Sequence, residues 1–130
     1  MSGEGEDGMT GSRQSTGRLG ERLASEKLVA QGYEILERNY RCSAGEMDIV
    51  ARDGPCYAFV EVRARRGQVC GSPEESITTT KQRRLIAVAE SYLEEHGLGE
   101  VDWRIDVVAV EWSRAGRLKR VEVIRDAVAG

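Results

Sequence analysis

The sequence predicts a single α/β domain, a central mixed sheet flanked by helices in the order αβββαββ. A chain of 130 residues with 40% apolar content is enough for one hydrophobic core and too short for two ordinary domains. Apolar residues recur at helical spacing in two stretches and with strand-like patterning in five others. Short segments rich in Gly, Asp, Pro and Ser separate these stretches, as turns do. Helices on both faces of one sheet are the natural way to cover it.

Taken in chain order, residues 1–15 combine Gly, Ser and acidic residues with no large apolar residue except Met1 and Met9, so they read as a disordered tail. The domain itself is expected over residues 16–126, with residues 127–130 as a C-terminal tail. Ser15 or Thr16 can cap a helix running to about Gln31, with Leu19, Leu23, Ala24 and Leu28 on one face and Gly32 as its stop. Glu21 lies off the centre of that apolar stripe. YEILERNYR (33–41), GEMDIVAR (45–52) and CYAFVEVRAR (56–65) read as three strands, the last two joined by a turn at residues 53–56. Ser72, Pro73 and Glu75 form a capped helical start, and Thr79 with Gln82 gives a second one. The long helix that follows ends near Glu95 and buries Leu85, Ile86, Ala89, Tyr92 and Leu93. WRIDVVAVEW (103–112) and RLKRVEVI (117–124) complete the sheet.

The 19 basic and 22 acidic residues give a net charge of −3, and from Arg13 onward the two signs cancel. That excludes a protein that coats nucleic acid by bulk charge, so polyanion affinity requires a local patch. Residues 52–84 offer one, with seven basic side chains against four acids. Three cysteines without a Cys-x-x-Cys pair suggest neither a disulfide framework nor a zinc knuckle, and a single histidine disfavours His-based zinc or Ser-His chemistry. His96 fits the last turn of the helix before Gly97. There is no secretory signal and no run approaching the roughly 20 apolar residues of a membrane helix, so a soluble, cytoplasmic protein with no membrane partner is expected.

The hairpin arithmetic carries the most chemistry. With a two-residue loop inside residues 53–56, opposed residues have numbers summing to 109, which sets Asp48 against Glu61. Like charges opposed across a ladder repel, and the apolar residues around them worsen the repulsion by desolvation. A shared divalent cation would resolve the conflict, since Mg²⁺ takes one or two hard carboxylate ligands. The same register sets Glu46 against Arg63, so a charge-balanced cluster without metal is the alternative, and a bulge would alter both.

The segments GRLGERLA (17–24), GYEILERNYR (32–41), GEMDIVARDG (45–54), FVEVRAR (59–65), GSPEESI (71–77), KQRRL (81–85) and RIDVVAV (104–110) resemble the YraN family, predicted nucleases of the restriction-endonuclease-like superfamily, similar to archaeal Holliday-junction resolvases. The resemblance covers nearly all of residues 17–112. It implies a restriction-endonuclease-like core in which Asp48, Glu61 and the Val62 backbone carbonyl hold Mg²⁺, or Mn²⁺ as its substitute. It also places Glu21 on the first helix, where it would reach the metal or a water on it. The implied activity is hydrolysis of phosphodiester bonds in structured or branched DNA, the metal activating water and stabilising charge on the phosphate.

Arg63 stands where that family usually has lysine. Either cation can stabilise developing charge, but a guanidinium stays protonated and has a planar fork. Sixteen of the 19 basic residues are arginine, a general preference that makes the replacement credible. Arg65, Arg66, Lys81, Gln82 and Arg84 are the expected nucleic-acid contacts. A catalytically inactive nucleic-acid-binding module and a protein-interaction scaffold are the competing functions. A two-fold DNA substrate favours a homodimer by analogy.

Overall fold

Seven main elements and one 3₁₀ turn build the domain, and the computed structural model describes residues 8–67 and 72–128, with side chains from Gly17 onward. Helix α1 (Gly8–Ala30) begins before the Ser15 or Thr16 cap expected from the sequence. No proline interrupts residues 8–16, and a nucleated helix adds one hydrogen bond per residue as it lengthens, so nothing local stops it there. The rest of the expected N-terminal tail, residues 1–7, lies outside the described residues, as do Cys70 and residues 129–130. The C-terminal end of α1 is closed where Gly32 was expected to stop it. Gly32 has φ +96°, its N–H donates to Val29 O, and Tyr33 N–H donates to Leu28 O, the two bonds of a Schellman cap.

Strands β1 (Glu34–Cys42), β2 (Gly45–Asp53) and β3 (Cys56–Arg66) form an antiparallel meander. A 3₁₀ turn (Glu74–Ser76) and helix α2 (Thr79–Glu95) then cross over to β4 (Trp103–Trp112), which pairs parallel with β3, and β5 (Leu118–Ile124) returns antiparallel. The spatial order β1-β2-β3-β4-β5 follows the chain. This is a single α/β domain with a five-stranded mixed sheet, its elements in the predicted order αβββαββ. Thr78 caps α2 by accepting the Lys81 N–H, and His96 closes it before Gly97, stacking on Tyr92.

Each sheet face carries its own core. Ala24 and Leu28 of α1 pack with Ile49, Ala51, Val60, Val108 and Val110 on one side. On the other, Leu85, Val88, Ala89, Tyr92 and Leu93 of α2 pack with Met47, Val50, Phe59 and Ile105. Two sequence expectations shift. Leu19 is largely exposed because the sheet does not extend beneath it, and Val88 takes the buried place assigned to Ile86, which sits half-buried at the flank of the stripe. At Gly20 α1 faces Ala64 and Trp112 of the sheet, and a Cβ there would meet them at ordinary contact distance. Residues 127 and 128, just past the expected domain end, are integrated: Ala127 N–H donates to Ile105 O and Val128 is buried in the α2-side core.

A second polar network pins the opposite end of the sheet. The fully buried Asp106 accepts from Tyr33 Oη, Arg104 Nε and the Asp126 N–H, while Arg104 also reaches Asp53. A buried carboxylate is tolerable only when it is paired and hydrogen-bonded in this way. None of the helices among the described residues is long and apolar enough to cross a membrane.

Candidate functional site

The β2–β3 ladder follows the expected register from Asp53–Cys56 to Ile49–Val60 and stops there. One residue on, Asp48 turns its side chain into the gap, and its Oδ2 accepts the Val62 N–H at 2.8 Å. Two other irregularities coincide with it. Met47 and Val50, three residues apart, join the same core, so the inside–outside alternation of β2 slips by one next to Asp48. Across β1, Asn39 lies between the pairs Arg38–Ile49 and Tyr40–Met47 and has φ +55°. Left-handed backbone is costly for residues other than glycine, least so for Asn, and tends to persist at functional sites. The sheet therefore has a notch centred on Asp48. It also removes the alternative charge pairing: Glu46 pairs with Arg41 on β1 at 3.6 Å and not with Arg63.

The notch brings Asp48 and Glu61 together. Glu61 is 5% exposed and lies beside Asp48. Burial pushes the Glu61 carboxyl up to about 7, the neighbouring Asp48 charge pushes the same way, and Lys81 and Arg63 oppose them. Asp48 is also raised, chiefly by burial, against the stabilising Val62 N–H and the Glu61 hydrogen bond. Two desolvated carboxyl groups this close together disfavour the doubly ionised state.

Two cations approach Glu61 from the α2 side. Arg63 Nη1 is 3.4 Å and Lys81 Nζ 3.6 Å from Glu61 Oε2. Arg63 is anchored elsewhere by Ser76 Oγ, which accepts from its Nη2 at 2.7 Å and Nε at 3.2 Å. Ser76 in turn donates to Pro73 O, fixing it on the 3₁₀ turn. That turn is clamped to the sheet by Arg120, which binds Glu74 at 2.8 Å, Glu111 at 2.6 Å and Glu122 at 2.7 Å.

The expected nucleic-acid contacts are dispersed. Lys81 joins the carboxylate pair directly. Gln82 Nε2 donates to Ile77 O beside its own helix start. The Arg84 side chain lies over Gly45 in the β1–β2 turn, Arg66 reaches toward Gly116 in the β4–β5 turn, and Arg65 sits opposite Glu111 on β4. Only Lys81 of these five touches the pair in the described contacts.

Glu21 does reach the site, from the α1 side. Burial raises its carboxyl, followed by the charges of Asp48 and Glu46, with Arg38 opposing. It lines a cleft of about 210 Å³ between α1, β1 and β2 that Asp48 also lines. Ser25 faces this cleft, 3% exposed, and its hydroxyl has no partner among the described residues. An unsatisfied buried hydroxyl costs about 1–3 kcal/mol.

The donor set suits Mg²⁺ better than a cation that needs a full protein cage. Among the described residues no group of three or more His, Cys, Asp or Glu side chains converges as a metal cage. Asp48 and Glu61 are hard oxygen donors, and Mg²⁺ is commonly held by one or two carboxylates with waters and substrate phosphates completing its shell. Alternate β3 residues turn their backbone groups to β2, so the Val62 carbonyl shares the edge on which its N–H meets Asp48.

Ser76, Arg120, Arg38, Asn39 and Ser25 were not singled out from the sequence. Four of them act through long-range contacts that no local pattern encodes. The one available signal was the polar stripe Arg18, Glu21, Arg22, Ser25, which repeats at the spacing of a helix face.

Comparison with known proteins places this arrangement in a broad bacterial group. The family model described as "Uncharacterised protein family UPF0102" matches residues 20–110. A UPF0102 protein of Moorella thermoacetica is 47% identical over 119 residues, covering 92% of this chain and 99% of its own. Another, from Roseiflexus castenholzii, is 46% identical over 121 residues, with 92% and 98% covered. A third, from Pelotomaculum thermopropionicum, is 44% identical over 119 residues, with 92% and 99% covered.

Proposed function

The chain belongs to the UPF0102 family, the same family as YraN, and we propose that its Asp48–Glu61 notch is the centre of a Mg²⁺-dependent nuclease acting on structured DNA. The carrying observation is the Asp48–Glu61 carboxylate pair where the β2–β3 ladder stops, with Lys81 and Arg63 set over one of its members. Crowded carboxyl groups with raised pKa beside fixed cations mark a candidate functional site.

Asp48, Glu61 and the Val62 carbonyl would hold the metal, with Glu21 reaching it or a water from α1. When bound, Mg²⁺ supplies an activated water and charge stabilisation at the phosphate. The protein's own part is positional. The Val62 N–H fixes the Asp48 carboxylate, and Ser76 holds the Arg63 fork so that one arm stays at Glu61. Lys81 puts an ammonium beside Glu61, the kind of cation that related enzymes carry at the position of Arg63, so the chemistry of the replaced lysine is available from α2. Both cations are set to stabilise charge that builds on the phosphate oxygens.

A second reading keeps the fold and binds nucleic acid without cutting. The observation favouring it is that Arg63 and Lys81 already balance Glu61 without any metal. Initial-rate cleavage of a four-way junction, a flap and a linear duplex with Mg²⁺ or Mn²⁺ separates the two. The nuclease reading expects cleavage abolished by EDTA and by Glu61→Ala. Activity surviving Glu61→Ala belongs to a contaminant, and salt-sensitive binding with no cleavage of any substrate establishes the binding module.

A further inference from the structure

The cleft beside Asp48 has a composition that the carboxylate pair does not explain. On α1, Arg18, Glu21, Arg22 and Ser25 fall at i, i+3, i+4 and i+7, one continuous helix face turned toward β1 and β2. From β1, Arg38 and Asn39 complete the wall. Three guanidinium groups and two carboxylates line the cleft, and Arg22 is exposed and also pairs with Glu26 at 3.9 Å. Arginine forks arranged about a small pocket suit a tetrahedral oxyanion, because each can present two parallel N–H donors.

Two further features point to a ligand. The Ser25 hydroxyl is buried in the cleft wall and has no partner among the described residues, although buried hydroxyls are ordinarily satisfied. Asn39 is held in left-handed backbone directly across β1 from Asp48, which sets its side chain on the cleft wall. A phosphodiester would satisfy both, accepting from the hydroxyl, from the amide and from the arginines. The sheet lies between α1 and α2, and Lys81 and Arg63, on the α2 face, do not line this cleft.

We infer that the cleft lined by Arg18, Arg22, Ser25, Arg38 and Asn39, which shares Glu21 and Asp48 with the proposed metal site, is a binding subsite for one backbone phosphate of a nucleic acid. This deepens the nuclease reading and rests on it for the identity of the polyanion. The three arginines at one cleft give a chain without bulk positive charge a local patch for a polyanion.

The test is fluorescence anisotropy of the full chain with a short DNA duplex in EDTA at graded NaCl, where nothing is cut. Each neutralised phosphate contributes a slope of about −0.9 in log K against log salt. The Arg18→Ala/Arg38→Ala double variant should lower the magnitude of that slope by about one and weaken binding about ten-fold, while Arg114→Ala, an exposed arginine in the β4–β5 turn, leaves both unchanged. Ser25→Ala should weaken binding and leave the melting temperature of the unbound chain unchanged or higher. A Ser25→Ala chain that is less stable, an unchanged slope in the double variant, or no DNA binding by the parent each overturns the subsite. Inorganic phosphate binding as tightly as duplex would reassign the cleft to a free anion and overturn the nucleic-acid assignment. A protein that binds through the cleft and never cleaves with Mg²⁺ retires the nuclease reading alone. One that cleaves while its slope ignores Arg18 and Arg38 retires the subsite alone.

Discussion

Asp48 Oδ2 takes the Val62 N–H at 2.8 Å, so a side chain completes a bond that the next strand would otherwise make. That one contact ends the β2–β3 ladder and aims a carboxylate at Glu61. It also separates two roles of Asp48 by mutation. Asparagine keeps an acceptor oxygen for Val62 and removes the like charge, whereas alanine leaves a part-buried N–H unsatisfied. In EDTA at about pH 8, Asp48→Asn should be as stable as the parent or more so, and Asp48→Ala less stable by about 1–3 kcal/mol in chemical denaturation. Equal losses in both variants would mean that the charge of Asp48 stabilises the fold, and the metal-site reading would lose its main support.

The Glu61 carboxyl fixes the sign of a pH effect. Its native pKa is raised from 4.5 to about 7, first by burial and then by Asp48. The native state therefore holds the proton more tightly than the unfolded state. The contribution to stability is present below about 4.5 and is lost as pH rises through about 7. In EDTA the melting temperature of the parent should fall between about pH 5 and 8 relative to Glu61→Gln, whose amide does not titrate. Adding Mg²⁺ at about pH 8 should restore the parent and leave Glu61→Gln unmoved, as expected of a ligand that binds only the native state. Parallel curves for the two proteins would place the titration elsewhere.

Arg120 controls the site from a distance. It binds three carboxylates and ties the 3₁₀ turn carrying Ser76 to β4 and β5. Arg120→Ala leaves Glu74, Glu111 and Glu122 without their common cation, at a cost between that of an exposed and a buried pair, about 1–2 kcal/mol. Hydrogen exchange should then accelerate at residues 74–76 and leave the β2–β3 ladder protected. Unchanged exchange in the turn would show that Pro73 and Ser76 hold it unaided.

How much of this was legible follows from the range of each interaction. The β2–β3 register near its turn, the end of α2 at Glu95 and the Gly32 stop are local, set by turn chemistry and periodicity, and they stand where the sequence put them. The α2 cap falls one residue earlier, on Thr78 in place of Thr79. The sum rule that set Asp48 against Glu61 holds up to Ile49–Val60, and it breaks where Asn39 adopts left-handed backbone, a conformation that no pattern in β1 announces. The cross-strand pair Glu46–Arg63 fails for the same reason, since the notch hands Glu46 to Arg41. Lys81 was read as a phosphate contact because its neighbours are basic, and its approach to Glu61 depends on how α2 lands on the sheet. Arg63–Ser76 and Arg120–Glu74 join residues 13 and 46 positions apart through the crossover, beyond the reach of spacing arguments.

The last prediction concerns which cation serves the reaction. Arg63 spends two of its nitrogens on Ser76 and leaves one near Glu61, while Lys81 pairs with Glu61 and can turn its ammonium toward a phosphate. A compact ammonium on a flexible stem can also follow charge as it moves, which a clamped fork cannot. Removing one preorganised charge-stabilising donor costs roughly 10²–10³ in turnover. Lys81→Ala should therefore lower cleavage by about that factor, with duplex affinity in EDTA little changed. Arg63→Lys should stay within about ten-fold of the parent, because its main loss is the Ser76 anchor and it returns a second ammonium to the notch. Measured side by side with Arg63→Ala, the rates identify the reacting group. If Lys81→Ala cuts at the parent rate while Arg63→Ala is crippled, the guanidinium is that group and Ser76 is its positioning residue. Ser76→Ala should then reproduce most of the defect without altering the melting temperature by more than a few degrees.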